Sequence, residues 1–254
     1  MTEIFKSISN GIAGLSGTAL TFAGALAIAG TLAMAILQVI KELTPVRGGY
    51  QRRWLERWFK ARAEKFTVEA VNAEPNDVIR ARLPVDAAKA QSTLVELATG
   101  GEANAFYDLA IEQVVAQMNA AAQIALEYPH VHFPLLAVLS QGANMGDVAR
   151  VVVRAEAGTR EPEPAALDAR NRVGHRIQRN LDGIQIALGS RWKLWMQSAS
   201  ITLTVTFVEL AIITNVENYN LVTLLVGVIL GIVGGYLAPV TRDVVAALQS
   251  MRKG

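Results

Sequence analysis

Three long runs of apolar residues divide the chain. They cover residues 18–40, 198–215 and 221–238, with polar stretches before, between and after them. An α-helix rises about 1.5 Å per residue, so roughly 20 residues cross the ~30 Å hydrocarbon core of a bilayer. Each run is close to that length, and we therefore predict three transmembrane helices. Apolar residues make up 52% of the chain, and their concentration in these runs argues against an ordinary soluble core.

Basic residues are distributed unevenly around the predicted helices. Eight Lys and Arg lie between Lys41 and Lys65, and six more precede the second helix. The link at 216–220 has none, and the first sixteen residues contain only Lys6. Cytoplasmic flanks of membrane helices are enriched in Lys and Arg. The pattern predicts a multi-pass protein of the inner (cytoplasmic) membrane, with its N-terminus outside and its C-terminus in the cytoplasm.

The polar region between the first two runs has mostly helical periodicity. One helix is predicted to begin at an Asp86 cap and to stop at Gly100–Gly101. A longer helix is predicted over 168–215. Its apolar stripe forms a seam for a neighbouring helix and consists of Ile177, Leu181, Ile184, Leu188 and Trp192. Residues 66–71 and 78–83 alternate weakly, which leaves one short β-hairpin as an alternative there.

These patterns together predict an all-α integral membrane protein, with a helical cytoplasmic domain inserted between the first and second of three transmembrane helices. The predicted segments are an extracytoplasmic N-terminus (1–17), transmembrane helix 1 (18–40), a basic amphipathic interfacial segment (41–65), the helical cytoplasmic domain (66–197), transmembrane helices 2 (198–215) and 3 (221–238), and a cytoplasmic tail (239–254).

Aromatic and basic residues are interspersed in the segment after the first run. Trp54 and Trp58 are four residues apart, as are Leu55 and Phe59, so a helix presents them on one face. Such a face predicts a helix lying on the inner leaflet, and the alternative is packing against the cytoplasmic domain. Trp192 and Trp195 stand at the start of the second run as expected for an interface anchor. The residues assigned to contacts with membrane lipids are Trp54, Trp58, Phe59, Trp192, Trp195, Arg52, Arg53 and Arg57.

Glycines repeat at spacings of four in the third run. Gly227, Gly231 and Gly235 form two consecutive GxxxG units. Within lipid, small residues on one face allow another helix to approach closely. We therefore predict helix packing through these three glycines, with the first run or another subunit as the partner.

A glutamate stands inside the second run. Glu209 shares a helix face with Thr202 and Thr206. A charged side chain at mid-membrane costs ~2.5–3.5 kcal/mol on insertion scales and is expected to face protein or water. Glu209 is then protonated and bonded to hydroxyls, lines a hydrated ion path, or meets a partner on another chain. If the second helix ends early, Glu209 lies among outer headgroups instead.

Signatures of common enzyme chemistry are missing from the sequence. There is no cysteine, which excludes disulfides and thiolate catalysis. No phosphate-binding loop, nucleophile elbow or zinc motif occurs, and His130 and His132 lack further ligands at a recognised spacing. We expect no catalytic residue, no metal and no cofactor. Membrane orientation accounts for the basic residues, so nucleic acid is not an expected partner.

Two hypotheses for the function follow. The first is a non-enzymatic membrane subunit that oligomerises, or scaffolds a larger complex with other membrane proteins. The second is an ion- or proton-conducting homo-oligomer that uses Glu209. In topology alone, the layout is similar to that of the proton-channel subunits of the biopolymer-transport and flagellar-stator group, a similarity that implies conduction. A membrane-tethered enzyme of unrecognised type is the third alternative.

Overall fold

The regular structure of the protein is helical. The computed structural model describes residues 29–40, 45–73, 76–157, 164–215, 220–221 and 223–236. Within these ranges every regular element is an α-helix and no strand occurs, which confirms the all-α prediction for this part of the chain. The hairpin alternative is wrong, because residues 66–71 continue a long helix.

The helices are numbered here along the chain. They are α1 (Ala29–Ile40), α2 (Val46–Asn72), α3 (Asp77–Arg80), α4 (Ala87–Thr99), α5 (Ala103–Asp108), α6 (Ile111–Glu127), α7 (Phe133–Leu139), α8 (Met145–Ala157), α9 (Pro164–Asn215) and α10 (Thr223–Tyr236). The chain divides into two compact units. We call residues 45–191 the helical domain, and the described residues within 29–40 and 192–236 the apolar unit.

The ends of α4 follow directly from the local sequence. The carboxylate of Asp86 accepts hydrogen bonds from the backbone N–H groups of Ala88 (2.8 Å) and Lys89 (3.0 Å), which are among the donors that lack a partner in the first helical turn. At the other end Gly100 has φ = 65°, a left-handed conformation that glycine adopts without a Cβ clash. Both predicted ends are confirmed.

The aromatic face of α2 lies inside the helical domain. Trp54 is 8% exposed, Leu55 and Phe59 are fully buried, and α2 packs against α4, α5 and α7. A face covered by the protein's own helices is not available to a lipid leaflet. The interpretation of Trp54 and Phe59 as membrane-interface residues is therefore corrected in favour of the alternative, packing against the domain.

The first half of α9 closes the same core. Its buried stripe includes four of the five predicted seam residues, Ile177, Leu181, Ile184 and Leu188, whereas Trp192 is half-buried. The side chains of Gln178 and Asn180 bond to Asn119 on α6 and to the Leu139 carbonyl on α7. The seam is therefore covered by helices of the same chain.

One described helix is long and apolar enough to cross a membrane. This helix is α9, over Pro164–Thr214, and few residues of its most apolar window are buried. It begins four residues before the predicted start, with proline at its first position, where the missing N–H needs no partner. In the described residues α1 and α10 are shorter apolar helices, and residues 18–28, 222 and 237–238 of the predicted spans lie outside the described residues.

Candidate functional site

The carboxylate of Glu209 lies at the contact between α9 and α10. Its Oε1 atom is buried, while the residue as a whole is half-buried. A Cβ atom added to Gly227 would overlap Oε1 and would come within 2.9 Å of the carboxyl carbon of Glu209. The absence of a side chain at Gly227 therefore makes the space that the carboxylate occupies.

The other two glycines of the predicted packing face lie against the backbone of α9. A Cβ at Gly231 would lie 2.5 Å from the Cα of Val205, and one at Gly235 would lie 2.6 Å from the Cα of Ile201. These neighbours are main-chain atoms that cannot rotate away. The glycine face thus lies against α9, whereas the partners predicted from the sequence were the first run or another subunit.

The hydroxyls of the two threonines grouped with Glu209 form their hydrogen bonds within α9. Thr202 and Thr206 are exposed, and their hydroxyls donate to the carbonyls of Ser198 and Thr202 on their own helix, each at 2.9 Å. Such bonds satisfy a hydroxyl locally in a helix. The three residues share a side of α9, but the threonine hydroxyls do not donate to the glutamate.

Sequence reasoning missed a second polar pair on α9. Ser200 and Thr204 are fully buried, and Thr204 donates to the Ser200 carbonyl at 2.8 Å. The Ser200 hydroxyl lies 3.4 Å from the carbonyl oxygen of Gly235. The four-residue spacing of Ser200 and Thr204 indicates that they share a helix face. The sequence does not show whether this face or that of Thr202 packs against another helix.

The remaining residues assigned to the membrane interface fall into two groups. Trp192 and Trp195 stack, with ring centroids 5.3 Å apart and an interplanar angle of 16°, and Trp195 is 42% exposed. On α2, Trp58 is half-buried beneath the Arg62 guanidinium. The basic residues of this group are exposed, and they are Arg52, Arg53 and Arg57.

A buried glutamine organises the polar interior of the helical domain. Gln141 is fully buried; its amide donates to Glu69 at 2.9 Å and accepts from Arg62. The backbone carbonyl oxygen of Gln141 accepts hydrogen bonds from Arg176 Nε and Asn180 Nδ2, both at 3.1 Å. These bonds satisfy polar groups after the end of α7, where helix carbonyls lack partners. The cluster joins α2 and α9 to the α7–α8 turn and was not predicted.

The two arginines of this cluster, Arg62 and Arg176, lie close enough for their positive charges to interact. Burial lowers the pKa of the Arg62 guanidinium, and the nearby positive charge of Arg176 lowers it further, against the opposite effect of Glu69. Over the described ranges, no group of three or more His, Cys, Asp or Glu side chains is arranged to hold a metal ion. This region thus combines two neighbouring arginines, Arg62 and Arg176, with polar groups that are already hydrogen-bonded.

The chain matches no protein-family model, and no curated protein or solved structure shows a significant similarity to it. The residues and contacts described above are therefore the basis for assigning a function.

Proposed function

We propose that the protein is a non-enzymatic integral membrane subunit that oligomerises, or scaffolds a larger membrane complex, through its transmembrane and cytoplasmic helices. The observation that carries this proposal is α9, which contributes 164–191 to the core of the helical domain and 192–215 to the apolar unit. In its second part, large apolar side chains such as Leu210 and Ile213 are more than half exposed. Hydrocarbon, or another apolar helix, is the environment that suits them.

The proposed topology has three spans at 18–40, 198–215 and 221–238, with residues 41–197 and 239–254 in the cytoplasm. The distribution of Lys and Arg supports this orientation. The apolar helices α1 and α10 fall within the first and third of these segments. The side of α10 remote from its glycines carries exposed apolar residues, including Ile229 and Leu225, which fits lipid or a neighbouring subunit.

Native mass spectrometry of the detergent-extracted complex tests the assembly. A closed homo-oligomer, or a defined complex with other polypeptides, supports the proposal, because either accounts for the exposed apolar faces. A lone monomer at every detergent concentration would contradict it.

The natural absence of cysteine permits a separate test of topology. Ser7→Cys, Ser92→Cys and Ser250→Cys are single reporters for the N-terminus, the helical domain and the tail. In intact cells a membrane-impermeant maleimide is expected to label only the first, and all three after lysis. Labelling of the Ser92→Cys variant in intact cells would reject the orientation.

A second candidate function is ion or proton conduction by a homo-oligomer, and the position of Glu209 favours it. A buried carboxylate oxygen within a membrane-spanning helix is costly and typical of ion pathways. Thr202 and Thr206 are exposed on the same side of α9, so a path through all three residues requires another copy of the chain to cover that side.

Flux through proteoliposomes distinguishes this candidate. Glu209→Gln is expected to abolish ion flux and to leave the mass of the assembly unchanged, because the amide keeps the shape and removes the titratable charge. Glu217→Gln, in the link predicted to lie outside the membrane, is the matched control. Equal flux from both variants would exclude a role for Glu209 in conduction.

A further inference from the structure

A basic pocket lies in the helical domain between the α7–α8 turn and α9. Its volume is about 330 Å³, at the small end of ligand sites. One wall is formed by residues 142–144 with Asp147, and the other by Arg172, His175, Arg176 and Arg179. The four α9 residues recur at helical spacing, so one face of a single helix presents them all to the pocket.

The positive charges in this pocket exceed the negative ones. Its one lining carboxylate, Asp147, already accepts two hydrogen bonds from Arg172, at 2.7 and 2.8 Å. Arg176 uses its Nε on the Gln141 carbonyl. Elsewhere in the described residues, neither Arg176 nor Arg179 forms an ion pair. The pocket therefore holds two guanidinium groups with no carboxylate partner among the described residues.

The arrangement of the turn fixes one of these guanidinium groups. Gly142 has φ = 80°, a conformation that favours glycine. A Cβ at this position would also overlap the guanidinium of Arg176. The guanidinium of Arg176 is held at the pocket by its Nε bond to the Gln141 carbonyl and fits in the space that Gly142 leaves. That bond does not use its two Nη atoms. Because the Arg176 side chain is already held in place, it loses less conformational entropy when a ligand binds.

We propose that this pocket binds a phosphate-bearing anion, with Arg176 and Arg179 as its direct ligands. A planar guanidinium donates two parallel hydrogen bonds to phosphate oxygens, a geometry that Lys does not offer. The simple alternative is a solvated basic helix face. Against that alternative, Arg176 is half-buried and bonded to the turn, near Arg62, which is also half-buried. Either a soluble phosphate compound or a phospholipid headgroup supplies the required chemistry.

Calorimetric titration of the full chain in a non-ionic detergent with inorganic pyrophosphate tests the site. Arg179→Gln removes an exposed ligand that makes no ion pair in the described structure, so the variant is expected to fold with an unchanged Tm and to bind pyrophosphate about tenfold more weakly. Arg53→Gln, an exposed arginine on α2 outside the pocket, is the matched control and is expected to bind as the wild type does.

A second arm identifies the source of the anion. Native mass spectrometry of protein extracted from vesicles containing phosphatidylglycerol reports bound lipid. A phosphatidylglycerol adduct that Arg179→Gln loses and Arg53→Gln retains assigns the site to a headgroup, and pyrophosphate binding without that adduct assigns it to a soluble ligand. The proposal is overturned if neither probe binds the wild type, or if both variants weaken binding equally.

Discussion

The helical domain and the apolar unit both bury polar side chains, but they differ in whether their large apolar side chains are buried or exposed. In the helical domain large side chains such as Phe59 and Phe66 are fully buried, and buried polar groups such as Gln141 bond across several helices. In the apolar unit large side chains such as Leu210 are exposed, while Ser200 and Thr204 are buried. Apolar side chains therefore order the first region by burial, whereas close backbone contact at small residues orders the second.

The largest expected effect comes from the aromatic core of the helical domain. Phe66 is fully buried and its ring lies 6.2 Å from that of Phe133. Phe66→Ala is expected to lower the free energy of unfolding by about 3–5 kcal/mol, through lost burial and the remaining cavity. Urea denaturation followed by circular dichroism measures it. Val68→Ala, at a position 59% exposed, is the control and should change stability by less than about 0.5 kcal/mol.

The same substitution should act in opposite directions in the two regions. Gly231→Ala places a Cβ 2.5 Å from the Cα of Val205 and is expected to destabilise the α9–α10 contact by about 1–3 kcal/mol. Gly183→Ala, in the domain half of α9, meets nothing within 4 Å and should stabilise the helix by about 0.5–1 kcal/mol. Thermal unfolding of both variants in detergent is the measurement. A Tm that rises for both would show that the glycine face is not closely packed.

A smaller effect is expected at the N-terminus of α4. Asp86→Ala removes the acceptor of two backbone hydrogen bonds and should destabilise the helical domain by about 1 kcal/mol. Asp86→Asn keeps an acceptor oxygen and should restore most of that loss. If the two variants unfold at the same urea concentration, the carboxylate does not act as a cap.

The smallest effect depends on pH. Hydrogen bonds from Arg172 hold the pKa of Asp147 below its ordinary value, despite the opposing effect of partial burial. A lowered folded-state pKa contributes stability above the unfolded value of about 3.9, and that contribution is lost as the pH falls through the folded pKa. Asp147→Asn should therefore lower the Tm at pH 7 and have a diminishing effect below about pH 4. An equal difference at pH 7 and pH 3 would contradict this account.

Local signals in the sequence predicted local structure well. The cap at Asp86, the stop at Gly100 and the buried stripe from Ile177 to Leu188 all depend on residues within one helix. The environment of the α2 face could not be predicted in the same way. Helical spacing pairs Trp54 with Trp58 and Leu55 with Phe59, but it does not distinguish lipid from protein as the material that covers them.

The polar contacts were harder to predict because they join distant parts of the chain. Gln141 bonds to residues on α2 and α9, and a single glutamine in an apolar stretch gives no indication of such partners. Gly227 was predicted to allow a close helix approach, but the sequence did not identify Glu209 as its neighbour. That pairing depends on the relative rotation of α9 and α10, which neither helix determines alone.

The stacked indoles of Trp192 and Trp195 also have an optical consequence. Two indole rings with centroids 5.3 Å apart are close enough for their electronic transitions to couple, so their near-ultraviolet circular dichroism is expected to differ from that of isolated tryptophans. The chain contains four tryptophans, and the other two lie on α2 in the helical domain. The stacked pair therefore gives the apolar unit its own spectroscopic reporter without an added dye.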